Sequence, residues 1–155
     1  MKVYLEDCKK ITFSWEVFLK MSVDYITTYW PSVLKNKTKT DFQKEYKKKL
    51  KKQSEEKFRG LFLIKNNSKI IGIANVYLKE NILYIAEFFI DKKYRRKGFG
   101  SKVLKILIRW GKSKGASSLK VEVDKSLVLA NAFWSSMDLQ LNGSGKRNIY
   151  FSKNI

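Results

Sequence analysis

The sequence contains no histidine, one cysteine and one proline among its 155 residues. The absence of histidine excludes Ser-His-Asp and Cys-His catalysis, histidine-ligated zinc and general-base chemistry by histidine. Cys8 is alone, so the chain has neither an internal disulfide framework nor a Cys-x-x-Cys metal or redox site. We therefore expect no metal centre, and we look for chemistry carried by other side chains.

Acidic residues and long apolar runs are also scarce. The chain has 14 Asp and Glu against 33 Lys and Arg, a net charge of +19. No apolar run reaches the roughly 18 residues of a membrane span, and charges at Glu6, Asp7, Lys9 and Lys10 interrupt any secretory signal. We expect a cytoplasmic protein without a membrane partner. A positive charge of this size attracts nucleic acid, an acidic membrane surface or a phosphorylated cofactor, although lysine used as a default surface residue gives the same charge.

Hydrophobic residues make up 44% of the chain, which predicts a globular protein, and its length suits one domain over residues 1–155. A short strand is predicted at Lys2 to Glu6. Apolar residues at intervals of three and four then predict a helix from a Ser14 cap to Tyr29, ended by Trp30-Pro31. A lysine-rich helix follows from residue 39 or 40 to about residue 56, with Phe42, Tyr46 and Leu50 as its apolar stripe.

The middle of the chain alternates in the manner of strands. Leu61 to Lys65, Lys69 to Lys79 and Ile82 to Asp91 are separated by turn residues, which predicts an antiparallel meander. An amphipathic helix is predicted from Ser101 to Lys114, followed by a half-buried strand from Leu119 to Asp124. Because a helix links these last two strands, they should be parallel.

The C-terminal part predicts a helix from Ser126 to about Met137 and two short strands, near Gln140 and at 149–151, joined by a turn at 142–145. The predicted order is β, α, α, β, β, β, α, β, α, β, β. This is an α+β fold in which helices flank a mixed, mostly antiparallel sheet.

The most informative segment is the basic turn from Asp91 to Ser101, between a buried strand and a helix. Glycines let a backbone approach an anion closely, and the first N–H groups of a helix attract negative charge. Gly98-Phe99-Gly100 lacks the third glycine of a Rossmann loop, and the residues after it do not form a P-loop. The segment is therefore predicted to bind a phosphate group by another design.

The spacing Arg-x-x-Gly-x-Gly at 95–100, with this strand and helix around it, resembles the acetyl-CoA diphosphate loop of the GNAT superfamily of N-acetyltransferases. The predicted element order matches that fold over nearly the whole chain. The resemblance implies acetyl-CoA as cofactor, held where the two parallel strands splay apart, with Ser101 capping the helix. The implied cofactor-binding residues are Phe88, Phe89, Ile90, Arg95, Arg96, Lys97, Gly98, Phe99, Gly100, Ser101 and Asn131.

Within the superfamily, the segment from Ala86 to Ile90 is similar to the spermidine/spermine acetyltransferase branch, which carries an acidic pair at its start. Ala86 replaces the first acid and only Glu87 remains. This departure and the positive net charge count against a polyamine acceptor. The acceptor implied by the resemblance is an amine of a small molecule or of a peptide, and the resemblance leaves a homodimer open.

The resemblance implies direct attack of a neutral amine on the thioester. Glu87 is the predicted general base, acting through a water, because flanking aromatics raise the pKa of a carboxyl group; pairing with a nearby lysine is the alternative. Trp134 stands where the family has a tyrosine acid, and an indole N–H donates a hydrogen bond but no proton. Asn131 shares the face of Trp134, either as a cofactor contact or as plain helix surface.

Other roles stay open at this point. The alternative proton donors are Tyr84, Tyr94 and Tyr150, and the residues available for an acceptor pocket or for core packing are Asp24, Tyr25, Tyr29 and Trp30. A different class of function is also open: a basic nucleic-acid or ribosome-associated binding protein with a vestigial coenzyme A site. That class predicts binding that weakens steeply with salt.

Overall fold

The computed structural model describes residues 2–155, which form seven strands and four α-helices. The strands are β1 (Val3–Asp7), β2 (Arg59–Asn66), β3 (Lys69–Lys79), β4 (Ile82–Ile90), β5 (Ser118–Asp124), β6 (Gln140–Ser144) and β7 (Asn148–Asn154). The helices are α1 (Thr12–Tyr29), α2 (Lys39–Ser54), α3 (Phe99–Ser113) and α4 (Val128–Ser135), with short 3₁₀ turns at Pro31–Leu34 and Lys92–Tyr94. The predicted element order is confirmed.

All seven strands belong to one open sheet in the order β1-β2-β3-β4-β5-β7-β6. Every neighbouring pair is antiparallel except β4 and β5, which are parallel. The mixed, mostly antiparallel sheet and the parallel pair predicted from the strand–helix–strand link are therefore confirmed. Within residues 2–155, no helix is both long and apolar enough to cross a membrane.

Hydrophobic cores cover both faces of the sheet because strand side chains alternate between faces. On one face α1 and α2 pack on β2 and β3 through buried residues such as Phe18, Leu50 and Leu63. On the other face α3 packs on β4 and β5 through residues such as Leu107 and Leu119. The apolar stripes predicted for α2 and α3 point into these two cores.

A β-bulge interrupts β4 at Ala86. In the pairing with β3, Glu87 lies opposite Asn75 and Ile85 lies opposite Val76, so Ala86 has no partner of its own. The extra residue shifts the alternation by one position. As a result Glu87 faces the side of the sheet that α1 and α2 cover. Without the bulge it would face the opposite side, together with Ile85.

The two parallel strands separate beyond the bulge. Ile82 to Ile85 pair with Ser118 to Val121, and no pairing continues toward Ile90 and Asp124. The backbone groups on that side of the C-terminal half of β4 therefore do not bond to β5. The splayed parallel pair that the resemblance implied is present.

Helix starts differ from the prediction. Ser14 is not a cap, because α1 begins at Thr12 and the buried Ser14 hydroxyl donates a hydrogen bond to Glu6. Ser101 is not a cap either, since α3 begins at Phe99 after Gly98. The Ser14 hydroxyl makes a tertiary contact in place of a cap, and Gly98 occupies the cap position of α3.

The lysine-rich helix has a cap that the sequence reading missed: Thr38 accepts from the Asp41 amide, and the Asp41 side chain accepts in return. The final turn is also corrected. Residues 142–144 belong to β6, and the chain reverses at 145–147, where the Gly145 amide bonds to the Asn148 carbonyl at 2.8 Å.

Candidate active site

The splay between β4 and β5 encloses a small cavity of about 90 Å³. Its walls include Glu87 and Phe88 from β4, Val123 from β5, Tyr25 from α1 and Trp134 from α4. The cavity exists because the bulge and the divergence of the strands remove one side of the hydrogen-bond ladder. We call it the wedge cavity.

The predicted anion-binding loop meets this wedge at the start of α3. Arg96 and Gly98 both have positive φ, 62° and 82°, and the first helical hydrogen bond runs from the Lys102 amide to the Gly98 carbonyl. The amides of residues 98–101 therefore precede the helical ladder and are available at its positive end. A Cβ on Gly98 would have no atom within 4 Å, so the space outside this turn is open.

The two loop glycines serve different needs. Gly98 adopts a left-handed conformation that favours glycine. A Cβ on Gly100 would lie 2.7 Å from the Phe133 ring, so Gly100 is required for α4 to approach α3. The sequence reading assigned both glycines to the anion alone.

The cations of the loop are divided. Arg96 and Lys97 are exposed. Arg95 instead turns toward α1, where its Nε donates to the Ile90 carbonyl at 2.7 Å and its Nη1 donates to Tyr29 Oη at 3.1 Å. Its side chain braces the loop, and the Ile90 carbonyl that was expected to meet a cofactor already accepts a hydrogen bond.

Glu87 is half-buried between the sheet and α2, and its carboxyl group is covered. Tyr46 Oη donates to Glu87 Oε1 at 2.5 Å, while Oε2 is buried and has no hydrogen-bond partner among residues 2–155. Burial raises the pKa of the Glu87 carboxyl, and the Tyr46 hydrogen bond and the charges of Lys49 and Arg59 oppose that rise. Burial and, to a smaller extent, the charge of Glu87 also raise the pKa of Tyr46. The proton of this hydrogen bond therefore stays on the phenol oxygen.

A polar network fixes the wall behind Glu87. Arg59 Nη1 donates to Asn75 Oδ1 at 3.0 Å, and Asn75 Nδ2 donates to Gln53 Oε1 at 3.1 Å. Asn75 is buried and is the strand partner of Glu87. The network therefore ties α2, which carries Tyr46, to the strand next to Glu87.

A larger cavity of about 860 Å³ opens on the α1 and α2 side of the sheet, beside β5 and β7. It shares six lining residues with the wedge cavity, among them Ala86, Glu122 and Asp124. Trp30 also lines both cavities, and its Nε1 donates to Asp124 Oδ2 at 2.8 Å. We call this space the acceptor cavity because it leads to the wedge.

The model of the acetyltransferase (GNAT) family matches residues 23–138. The chain belongs to this family. It is accordingly an N-acetyltransferase that uses acetyl-CoA, as the resemblance of the loop implied. The spermidine branch of the superfamily is not singled out by this match.

Solved structures support the fold of this GNAT acetyltransferase. PaiA N-acetyltransferase from Thermoplasma acidophilum in complex with coenzyme A superposes with a TM-score of 0.80 at 13% identity, over 100% of both chains. An acetyltransferase from Thermus thermophilus gives 0.74 at 15% identity, over 100% of this chain and 98% of the other. The ribosomal-protein-S18-alanine N-acetyltransferase from Escherichia coli gives 0.58 at 19% identity, over 70% and 76%. No curated protein sequence matches significantly.

The α4 helix of the acetyltransferase closes the wedge with aromatic rings. Trp134 is 5% exposed, and its ring lies 5.7 Å from Phe88 and 5.0 Å from Phe133. Asn131 Nδ2 donates to the carbonyls of Asp124 and Leu127, both at 2.9 Å, and its buried Oδ1 has no partner in the described part of the chain. Trp134 is thus mainly a packing residue, and Asn131 joins β5 to α4 with one acceptor left over.

The alternative proton donors are separated by the fold. Tyr84 and Tyr150 line the acceptor cavity. Tyr94 packs its ring on Phe99 at 6.1 Å and lines neither cavity. This distribution favours Tyr84 and Tyr150 over Tyr94.

The residues suggested for the acceptor pocket are also separated. Trp30 and Tyr25 line the cavities, whereas Tyr29 bonds to Arg95 and Asp24 forms an exposed ion pair with Lys39 at 2.6 Å.

In the described residues 2–155, no cluster of acidic or cysteine side chains suits a metal ion.

The sequence reading missed Tyr46 and Asp124. Tyr46 appeared only as part of an apolar stripe, and no local pattern signals its hydroxyl contact with a residue 41 positions away. Asp124 did carry a weak signal, because it falls on the polar face at the end of a strand that leads out of the wedge.

Proposed function

We propose that the protein transfers an acetyl group directly from acetyl-CoA to a primary amine of a small molecule or peptide. The observation that carries this proposal is the continuity of three features: the glycine turn at the start of α3, the wedge between β4 and β5, and the acceptor cavity with which the wedge shares six lining residues. Together they provide a place for the cofactor and an adjoining place for the amine.

The residues present suit coenzyme A. The free amides of residues 98–101 and the exposed cations Arg96 and Lys97 form a diphosphate site. The unpaired side of β4 at Phe88 and Phe89 offers backbone groups to the amides of the pantetheine arm. Arg95 acts as a brace for the loop. When bound, acetyl-CoA supplies an acetyl group activated as a thioester.

Glu87 is the proposed general base. Its raised pKa brings it closer to the operating pH, which improves a carboxylate as a base. At about 30 Å³ per water, the wedge cavity of about 90 Å³ has room for about three waters. The amine would pass its proton through such a water to Glu87 Oε2, while Tyr46 holds Oε1 in place.

The remaining groups assist at the carbonyl and the sulfur. An unpaired β4 amide near Phe88 is the proposed donor to the carbonyl oxygen. Thiols have a pKa of about 8.5, so an acid at the sulfur is helpful and not obligatory. Tyr84 and Tyr150 are better candidates for that acid than Trp134, because they line the acceptor cavity and carry ionisable hydroxyl groups.

Calorimetric titration with coenzyme A tests the cofactor site, and release of free thiol with a panel of amines tests transfer. Gly98→Glu should weaken coenzyme A binding by about tenfold or more, because a carboxylate would stand at the diphosphate site. Gly115→Glu is the matched control: it also has positive φ and open space, at the opposite end of α3. Equal affinity in both variants, or no binding by the wild type, would contradict the proposal.

The single domain, the cellular location and the oligomeric state of the enzyme are proposals as well. A single domain over 1–155 is supported by the sheet that holds both the first and the last strand. A cytoplasmic location and a homodimer stay predictions. Only the net charge of +19 favours nucleic acid as a partner.

A further inference from the structure

The acceptor cavity has a charge unlike that of the rest of the molecule. Basic residues outnumber acidic ones 33 to 14 in the chain, yet Glu122 and Asp124 line the cavity against a single basic residue, Lys120. Both acids also line the wedge cavity. They follow Val121, the last β5 residue paired with β4. Negative charge is therefore concentrated where an acceptor nitrogen would meet the thioester.

Both carboxylates are held in place and keep capacity for a ligand. Hydrogen bonds from the Trp30 indole and from Ser126 lower the pKa of Asp124, so it is ionised at neutral pH. Asn148 Nδ2 donates to Glu122 Oε1 at 2.7 Å. An ionised carboxylate accepts about four hydrogen bonds. Asp124 already accepts three, from the Trp30 indole and from the Ser126 amide and hydroxyl, which leaves about one for an ammonium group. Glu122, with its bond from Asn148, can accept more.

The rest of the cavity wall suits an uncharged body. The rings of Tyr77 and Tyr84 stack at 4.9 Å, and Trp30 and Tyr150 add two further aromatic surfaces. Lys120 lies four residues before Asp124 on β5, roughly 13 Å away at about 3.3 Å per residue. Lys120 is thus at the far end of the cavity from the wedge, whereas the charge of Arg147, which is not part of the lining, acts on Asp124.

Resting on the proposed function, we propose that Glu122 and Asp124 select the acceptor by the charge beside its nitrogen. The cavity takes primary alkylammonium ions with an apolar or aromatic body and excludes amines with an adjacent carboxylate, such as free α-amino acids. The ammonium is attracted to the two carboxylates and to the aromatic faces. A carboxylate next to that nitrogen would meet like charges that are fixed in position.

Matched acceptor pairs with identical bodies test this selection. Phenethylamine is compared with phenylalanine, tyramine with tyrosine, and tryptamine with tryptophan, by thiol release and by calorimetric binding to protein saturated with coenzyme A. The amine of each pair should be preferred by about tenfold or more. Phenylalanine amide, which lacks the carboxylate charge, should behave like phenethylamine.

Two variants connect the preference to the named residues. Glu122→Gln and Asp124→Asn should each reduce the preference within a pair, and leave the affinity for coenzyme A unchanged. Glu80→Gln, in the exposed turn between β3 and β4, is the charge-matched control and should preserve the preference. Because Asp124 also bonds to Trp30, Glu122→Gln keeps the test valid if Asp124→Asn is unstable.

The inference is overturned if an amino acid performs as well as its matched amine, or if the preference survives in both variants. It is also overturned if coenzyme A binds and no member of any pair binds or reacts. Failure of coenzyme A to bind at all is a distinct result, because it contradicts the proposed function on which the inference rests.

Discussion

The two halves of the parallel pair β4–β5 lie on the same two strands but differ in strand pairing and in side-chain packing. In the first half, Ile82 to Ile85 pair with Ser118 to Val121, and fully buried residues such as Leu83 and Leu119 fill the core. In the second half the strands part, and a buried carboxyl, aromatic rings and the wedge cavity replace the aliphatic packing. The acceptor cavity spans both halves, since Tyr84 and Lys120 line it as well as Asp124. The bulge at Ala86 is the boundary between the half with continuous strand pairing and the half that carries the proposed base.

Among the variants that test this comparison, replacement of Glu87 should give the largest effect, which is a loss of catalytic rate. Glu87→Gln keeps the shape and can still accept from Tyr46, but it removes the base. General-base catalysis contributes about 10² to 10⁴ in rate, so kcat should fall by about that factor while coenzyme A affinity is unchanged. Unchanged turnover across pH would remove Glu87 from the mechanism.

The same variant should also change the pH dependence of the free energy of unfolding, in a direction that follows from the pKa shift. Burial raises the pKa of Glu87 in the folded state, so this group contributes stability below its unfolded pKa of about 4.3 and loses that contribution as pH rises through the folded pKa. Glutamine does not titrate. Chemical unfolding at several pH values should therefore show the stability of Glu87→Gln, relative to wild type, improving as pH rises. A constant difference would contradict the pKa shift.

Leu83→Ala examines the paired half. Leu83 is fully buried, and truncation at such a site lowers the free energy of unfolding by about 2–5 kcal/mol. Coenzyme A affinity, measured well below the melting temperature, should change little. Phe88→Leu in the splayed half is the counterpart: it should cost less stability and weaken coenzyme A binding more. If both properties fall together in both variants, the two halves are not separable.

Tyr46→Phe should give the smallest of these effects and sharpen the role of α2. Loss of the Tyr46 hydrogen bond removes the main interaction that opposes the raised pKa of Glu87. The pKa should rise further, and the acid limb of the kcat/KM profile should move to higher pH. Tyr4→Phe on β1, which β2 and β3 separate from β4, should leave the profile unchanged. An unmoved profile in Tyr46→Phe would mean that Tyr46 does not act through Glu87.

The fold was accessible from the sequence because its signals are local. Alternation along Leu119 to Asp124 and the amphipathic pattern of the preceding helix depend only on neighbouring residues, and both predictions are confirmed. The glycine turn was equally local. These features fixed the order of elements and the parallel pair.

The details of the candidate site depend on contacts between distant residues. Trp30 and Asp124 are 94 residues apart, and Arg95 and Tyr29 are 66 apart, so no window of sequence pairs them. The bulge at Ala86 arises from the register of β3 against β4, and a strictly alternating strand was the natural expectation. Hydroxyl caps at Ser14 and Ser101 failed for a similar reason, since a side chain has alternatives that only the fold reveals.

The burial of Glu87 has a practical consequence in a chain without histidine. Burial raises the pKa of this carboxyl above its ordinary value, and the imidazole groups that ordinarily titrate between acidic and neutral pH are missing. An infrared or NMR titration of the unlabelled enzyme should therefore follow the displaced carboxyl without overlap from imidazole signals and without any substitution.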